Sequence, residues 1–143
     1  MKRRPQATIL CIDDDWSSLI GRKLLLENTG YRVLHATTAE EGLRLFLSHA
    51  IDAVVLDYQI PGTDGAVVAA QMRSMKAHVP IVLLSAYGPL PEKKLRFVDK
   101  FVSKSQKPAV VLSSLNSLLA RRDKPFFYRW LDQWKIRNHA EKL

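Results

Sequence analysis

The sequence predicts an α/β domain built on a parallel sheet, and three observations carry that prediction. Short apolar runs alternate five times with segments of helical spacing. Four of the five runs stop at an acid, a hydroxyl or a lysine. The 143 residues, 47% hydrophobic and 25% charged, suffice for one ordinary domain with a real core.

Thr8-Ile9-Leu10-Cys11-Ile12 reads as the first strand and ends at Asp13-Asp14-Asp15. The segment from Trp16 to Asn28 has apolar residues at 16, 19, 20, 24 and 25, which predicts a helix, with Gly30 as its stop. Tyr31 to Ala36 is the second strand. Thr38 opens a second helix with Glu41 three residues on, the spacing of a capping box, and Leu43, Phe46, Leu47 and Ala50 form its expected apolar stripe. Asp52 to Asp57 is the third strand. A third helix over Gly65 to Lys76 presents Val67, Val68, Ala70 and Met72. Val79 to Ser85 is the fourth strand, with Pro80 near its start, where proline is tolerated. Pro89 and Pro91 then leave room only for a short helix over Glu92 to Val98. Lys100 to Ser103 is the fifth strand, ending at Lys104, and Pro108 starts a last helix through Leu119. No internal repeat interrupts this order, and the crossovers are expected to be right-handed.

A single cysteine, Cys11, excludes an internal disulfide framework and suits a reducing cytosol. Its place inside an apolar run marks it as a buried small hydrophobe. Lys2, Arg3 and Arg4 precede too short an apolar run for a signal peptide or a spanning helix. Of the net charge of +8, +4 lies in Arg121 to Leu143. The basic balance is therefore partly a property of the tail, and permits an anionic partner without demanding one.

The chemistry lies at the strand ends. In a parallel sheet, Asp13 and Asp14 after the first strand, Asp57 after the third, Ser85 after the fourth and Lys104 after the fifth all face one crevice. Asp57 is followed by Pro61-Gly62 and Asp64-Gly65, two turn signals. Hard oxygen ligands of this kind suit Mg²⁺. A carboxylate can also attack phosphorus to form an aspartyl-phosphate, with a lysine and a hydroxyl stabilising the transferred group.

Ile9 to Asp15, Val55 to Gly65, Ser85-Ala86 and Lys104 together resemble the receiver domain of bacterial two-component response regulators, from about Thr8 to Ala120. The resemblance implies a flavodoxin-like (βα)5 three-layer sandwich with sheet order 2-1-3-4-5. It implies that Asp57 accepts a phosphoryl group from a sensor histidine kinase or a histidine phosphotransfer protein, in the cytoplasm. Asp13, Asp14, Asp57 and the Gln59 main-chain carbonyl would hold Mg²⁺. Ser85 would bond a phosphoryl oxygen, Lys104 would pair with the phosphate, and Phe101 falls at the position of an aromatic switch residue that moves with Ser85. Such a domain is a signalling switch that catalyses only its own phosphorylation and dephosphorylation. Three departures stand out. Ser105 follows Lys104 where the family has a cis proline, so a trans bond and a rearranged loop are expected. The fourth helix is shortened. Tyr87, two residues beyond Ser85, is expected to place its ring over the pocket mouth.

The division predicted is a receiver domain over residues 1–120 and a basic, aromatic, amphipathic tail over 121–143, read as an extra C-terminal helix. Phe127, Trp130, Leu131 and Trp134 share one face of that helix. It would pack on its own domain, support self-association or lie on an anionic membrane, and it is too short for sequence-specific DNA binding by a helix-turn-helix. The downstream partner is not specified. Two other readings stay open. One is a receiver-like adaptor that works without phosphorylation. The other is a phosphohydrolase of the haloacid dehalogenase kind, whose motifs Asp13-x-Asp15, Ser85 and Lys104 loosely imitate.

Overall fold

The computed structural model describes residues 6–122. The elements in chain order are β1 (Thr8–Ile12), α1 (Trp16–Asn28), β2 (Arg32–Ala36), α2 (Ala39–Ser48), β3 (Ala53–Asp57), β4 (Gln59–Ile60), β5 (Thr63–Asp64), α3 (Gly65–Met75), β6 (Ile81–Ser85), α4 (Glu92–Leu95), β7 (Lys100–Ser103) and α5 (Ala109–Arg122). Five strands form one sheet in the order β2-β1-β3-β6-β7, every neighbour parallel. Counting those five strands alone, the order is the expected 2-1-3-4-5.

The alternation of side chains along each strand divides the core in two. Leu10, Ile12, Val54, Leu56 and Leu83 point to one face and pack with Phe46 of α2 and Val68 and Met72 of α3. Ile9, Cys11, Val55, Val82, Leu84 and Val102 point to the other and pack with Leu19 and Leu26 of α1 and Leu115 and Leu119 of α5. Because β1, β3 and β6 are buried on both faces, their sequences run apolar without alternation. The sandwich thus has three layers, and all five parallel strands end along one edge.

Local signals explain the helix starts. Asp15 caps α1, Thr38 caps α2 by accepting from Glu41 N at 3.2 Å, and Asp64 caps α3 by accepting from Val67 N at 3.0 Å. The expected helical faces need correction. Leu26 rather than Leu24 belongs to the buried face of α1; Trp16 is exposed, its ring set edge-on to His35. Leu47 and Val67 also face solvent, and Ala50 lies past the end of α2. In α3 the residues that reach the core are Val68, Ala69 and Met72.

Two elements differ in kind from expectation. The turn after Asp57 is a two-residue antiparallel ribbon, β4 with β5, closed by Gly62 at φ +80°. The fourth helix is a single turn ending at Leu95 rather than Val98. At the carboxyl end, α5 reaches Arg122, the last described residue, whose guanidinium meets Asp52 Oδ1 at 2.9 Å. The expected tail helix, and its aromatic face, lie outside the described residues.

Candidate functional site

The run Asp13-Asp14-Asp15 divides into three environments within three residues. Asp13 is fully buried: its Oδ1 accepts the Asp15 amide at 2.9 Å and its Oδ2 turns toward two cations. Asp14 is exposed at the rim. Asp15 serves the helix, accepting from Ser17 N at 3.1 Å and from Ser18 Oγ at 2.9 Å. The Ser18 hydrogen bond holds its carboxyl below the ordinary value.

Asp57 ends β3 with 4% exposure. Its position is fixed by the chain behind it. Tyr58 donates to Leu84 O at 2.7 Å, and Gly65 donates to Tyr58 O at 2.7 Å. Gly65 has to be glycine here, because a Cβ would stand 2.5 Å from the Asp57 carbonyl oxygen and 2.9 Å from Tyr58 Cα. The Gln59 amide donates to Asp57 Oδ1 at 3.3 Å. Lys104 crosses from the end of β7 to donate to Asp57 Oδ2 at 3.0 Å and to Asp13 Oδ2 at 3.3 Å.

Lys104 achieves this reach without proline beside it, and no cis peptide occurs among the described residues. A polar turn does the positioning. Lys104 N donates to Ser85 O at 2.8 Å, Gln106 Oε1 accepts from Ser103 N at 3.2 Å, and the Ser103 and Ser105 hydroxyls are 2.8 Å apart. The bond after Lys104 is trans as expected, and the lysine reaches Asp57.

Burial pushes the Asp57 carboxyl above its ordinary value, against the pull of the Lys104 hydrogen bond, and the negative charge of Asp13 adds to the rise. Burial acts to lower the Lys104 ammonium, but the hydrogen bond to Asp57 and the charges of Asp57 and Asp13 outweigh it and raise the group.

Asp13, Asp14 and Asp57 each bring one carboxylate oxygen within 4.8 Å of the others. Octahedral Mg²⁺ with bonds of about 2.1 Å sets cis ligands about 3.0 Å and trans ligands about 4.2 Å apart, so these hard oxygen donors suit the ion and would have to draw together to hold it. Gln59 lines the same cleft, together with Asp14, Asp57 and Lys104.

The remaining expected residues fall less simply. Ser85 is fully buried at the end of β6, and its hydroxyl accepts the Tyr87 amide at 3.0 Å. Phe101 is half-buried on β7. Tyr87 is 60% exposed and is not among the residues that line the cleft with Asp57. The hydrogen bond from its amide to Ser85 turns the chain there, and the side chain is exposed.

Arg22 was not anticipated. From α1 its guanidinium reaches Asp13 Oδ2 at 3.4 Å with its side chain only 11% exposed. The available signal was a cation at i+3 from buried Leu19 and i−4 from buried Leu26, on a face otherwise apolar.

Comparison with known proteins agrees with this geometry. The family model described as the response regulator receiver domain matches residues 9–116. The alkaline phosphatase synthesis transcriptional regulatory protein PhoP of Bacillus subtilis is 31% identical over 118 residues, covering 80% of this chain and 49% of PhoP. The transcriptional regulatory protein ResD of the same organism is 28% identical, covering 90% of this chain and 54% of ResD. The chain thus spans about half the length of these relatives. Among solved structures, the response regulator TrrA of Thermotoga maritima, in complex with Mg²⁺-BeF, superposes with a TM-score of 0.76 at 31% identity, covering 80% of this chain and all of TrrA. A CheY-like receiver domain protein of Methanospirillum hungatei, at 24% identity and a TM-score of 0.78, shares the fold. With the match covering most of the chain and the strand-end residues gathered at one edge, this protein belongs to the response regulator receiver domain family.

Proposed function

We propose that Asp57 is the phosphoryl acceptor of this receiver domain, and that its donor is a phosphohistidine on a sensor kinase or a phosphotransfer protein in the cytoplasm. The observation that carries the proposal is the meeting of Lys104 with Asp57 and Asp13 across 47 and 91 residues of sequence. In the transfer, an Asp57 carboxylate oxygen forms a bond to phosphorus as the bond from phosphorus to the histidine nitrogen breaks, and the imidazole leaves with its electron pair. Asp13, Asp14, Asp57 and the Gln59 carbonyl would hold Mg²⁺, which when bound neutralises charge on the phosphoryl oxygens. Lys104 supplies a second positive charge at Asp57 and then at the phosphoryl group. Ser85 exchanges its bond from the Tyr87 amide for one donated to a phosphoryl oxygen, and Phe101 follows Ser85 as the switch.

The alternatives fit less well. A phosphohydrolase of the haloacid dehalogenase kind would need an acidic pair soon after Lys104, whereas the next acids in the sequence are Asp123 and Asp132. An adaptor that does not accept phosphate loses its main support, since Ser105 leaves Lys104 in contact with Asp57.

Intact mass after treatment with acetyl phosphate and Mg²⁺ tests the proposal. Wild type should gain one phosphoryl group and Asp57→Asn none. Steady release of phosphate that survives Asp57→Asn would establish the hydrolase, and no adduct from acetyl phosphate or from a phosphorylated kinase would establish the adaptor.

A further inference from the structure

A cavity of about 330 Å³ lies on the side of Lys104 away from Asp57, between α1 and the start of α5. That volume is at the lower end of the range for small-molecule sites. Its wall carries three cations, Arg22, Lys104 and Lys107, and no carboxylate. Arg22 and Lys104 are balanced on their far side by Asp13, while Lys107 has no carboxylate partner among the described residues. Leu25, Leu84 and Val111 give the same cavity an apolar part of its lining.

Gly21 supplies an independent observation. It stands in the middle of α1, where glycine is unfavourable relative to alanine. Glycine is often retained in a helix because a Cβ would collide with a neighbour, but here a Cβ would meet nothing within 4 Å. Packing therefore does not require the glycine. Its effect is to leave the cavity open beside Arg22.

We propose that this cavity binds a small organic anion, a phosphate or carboxylate head on a small apolar or aromatic body. The head pairs with Lys107, which meets no carboxylate among the described residues, while Arg22 and Lys104 on the same lining keep their bonds to Asp13. The body occupies the space that Gly21 leaves above Leu25, Leu84 and Val111. This binding does not depend on Asp57 accepting a phosphoryl group.

Titration of the full chain, followed by backbone amide resonances, tests the site. Phenylphosphonate serves as the first probe, because its carbon–phosphorus bond cannot pass on a phosphoryl group. Benzoate is the carboxylate arm, benzyl alcohol the neutral arm and inorganic phosphate the bare anion. Shifts at Gly21, Leu25 and Val111 are expected with either aryl anion. Gly21→Leu should fill the cavity and weaken that binding at least about tenfold, a loss of about 1.4 kcal/mol, with a melting temperature no lower than wild type. Lys107→Gln, on an exposed side chain, should weaken it without altering the fold and keeps the test valid if the leucine variant misfolds. The proposal is overturned if neither aryl anion shifts the cavity resonances or if Gly21→Leu, when folded, binds as wild type does. It is equally overturned if benzyl alcohol or inorganic phosphate binds as tightly as the aryl anions, or if Lys107→Gln leaves the affinity unchanged.

Discussion

Replacing Asp57 by asparagine should stabilise the protein at neutral pH in the absence of divalent ions. The carboxylate is 4% exposed, and one of its oxygens lies within 4.8 Å of an oxygen of Asp13, which is wholly buried. With an effective dielectric constant of about 20, that repulsion is at least about 3.5 kcal/mol, and the attraction of Lys104 at 3.0 Å is about 5.5 kcal/mol. Burial of the charge costs several kcal/mol more, about 3 on a conservative choice. The balance is about 1 kcal/mol against the ionised acid, worth about 4 °C in melting temperature for a domain of this size. Asparagine removes the charge while Lys104 keeps Asp13 at 3.3 Å.

The sign of the pH dependence follows from the direction of the Asp57 shift. A carboxyl raised in the folded state is protonated in both states below its ordinary value, so the penalty is absent there. It develops as pH climbs from the ordinary value through the raised folded one and is complete above that. Urea or thermal melts of both proteins in a chelating buffer should therefore coincide in acid and separate toward neutrality, the variant being the more stable. A variant no more stable than wild type at pH 7, or a difference independent of pH, would refute this account of the site.

Mg²⁺ should stabilise wild type by about 1.4 kcal/mol at tenfold excess over its dissociation constant, and Asp57→Asn should lose most of that gain; equal shifts of the two melts would remove Asp57 from the donor set. Lys104→Gln should slow phosphoryl acceptance from acetyl phosphate by about 100-fold, read as the time course of the intact-mass adduct, and a rate within a few-fold of wild type would exclude the lysine from the transfer. Gly65→Ala should cost about 1–3 kcal/mol, since its Cβ would collide with the Asp57 carbonyl at 2.5 Å and with Leu83 Cδ1 at 2.7 Å; chemical denaturation showing no loss would mean the turn can open. Tyr87→Ala should leave the dephosphorylation rate of the phosphorylated protein unchanged, because the ring stands in solvent; a faster release of phosphate would mean that the loop closes over the cleft.

Most of the site was legible in the sequence because a parallel sheet converts chain order into position. Asp13, Asp57, Ser85 and Lys104 needed only to end their strands to arrive at one edge, whatever the sequence between them. What depended on side-chain direction was not legible. Arg22 reaches Asp13 because its place on α1 lies between Leu19 and Leu26, whereas Trp16 and Leu24, which spacing alone counts on that face, are exposed. The ribbon of β4 and β5 is too short for a periodic signal, so only its turn residues showed. Tyr87 follows the backbone of a loop held by one hydrogen bond to Ser85, and nothing in a residue type specifies that direction.

The departures from the family pattern fall on opposite sides of Lys104. Behind the lysine, the hydroxyls of Ser103 and Ser105 and the amide of Gln106 build a turn that delivers Lys104 to Asp57, so the missing proline does not part the two. Ahead of it, α4 is one turn with no buried residue of its own. That turn is tied to the site by Lys94, which donates to Asp64 Oδ2 at 3.0 Å, and Asp64 is both the last residue of the ribbon behind Asp57 and the cap of α3. Both partners are partly exposed, which makes such a pair worth about 1 kcal/mol or less. A helix several turns long would resist displacement through many packed side chains. Here the hold consists of that pair, the packing of Leu95 against the core and the Lys94 ammonium 6.0 Å from the centre of the Tyr58 ring, so α4 is joined to the Asp57 turn by few contacts.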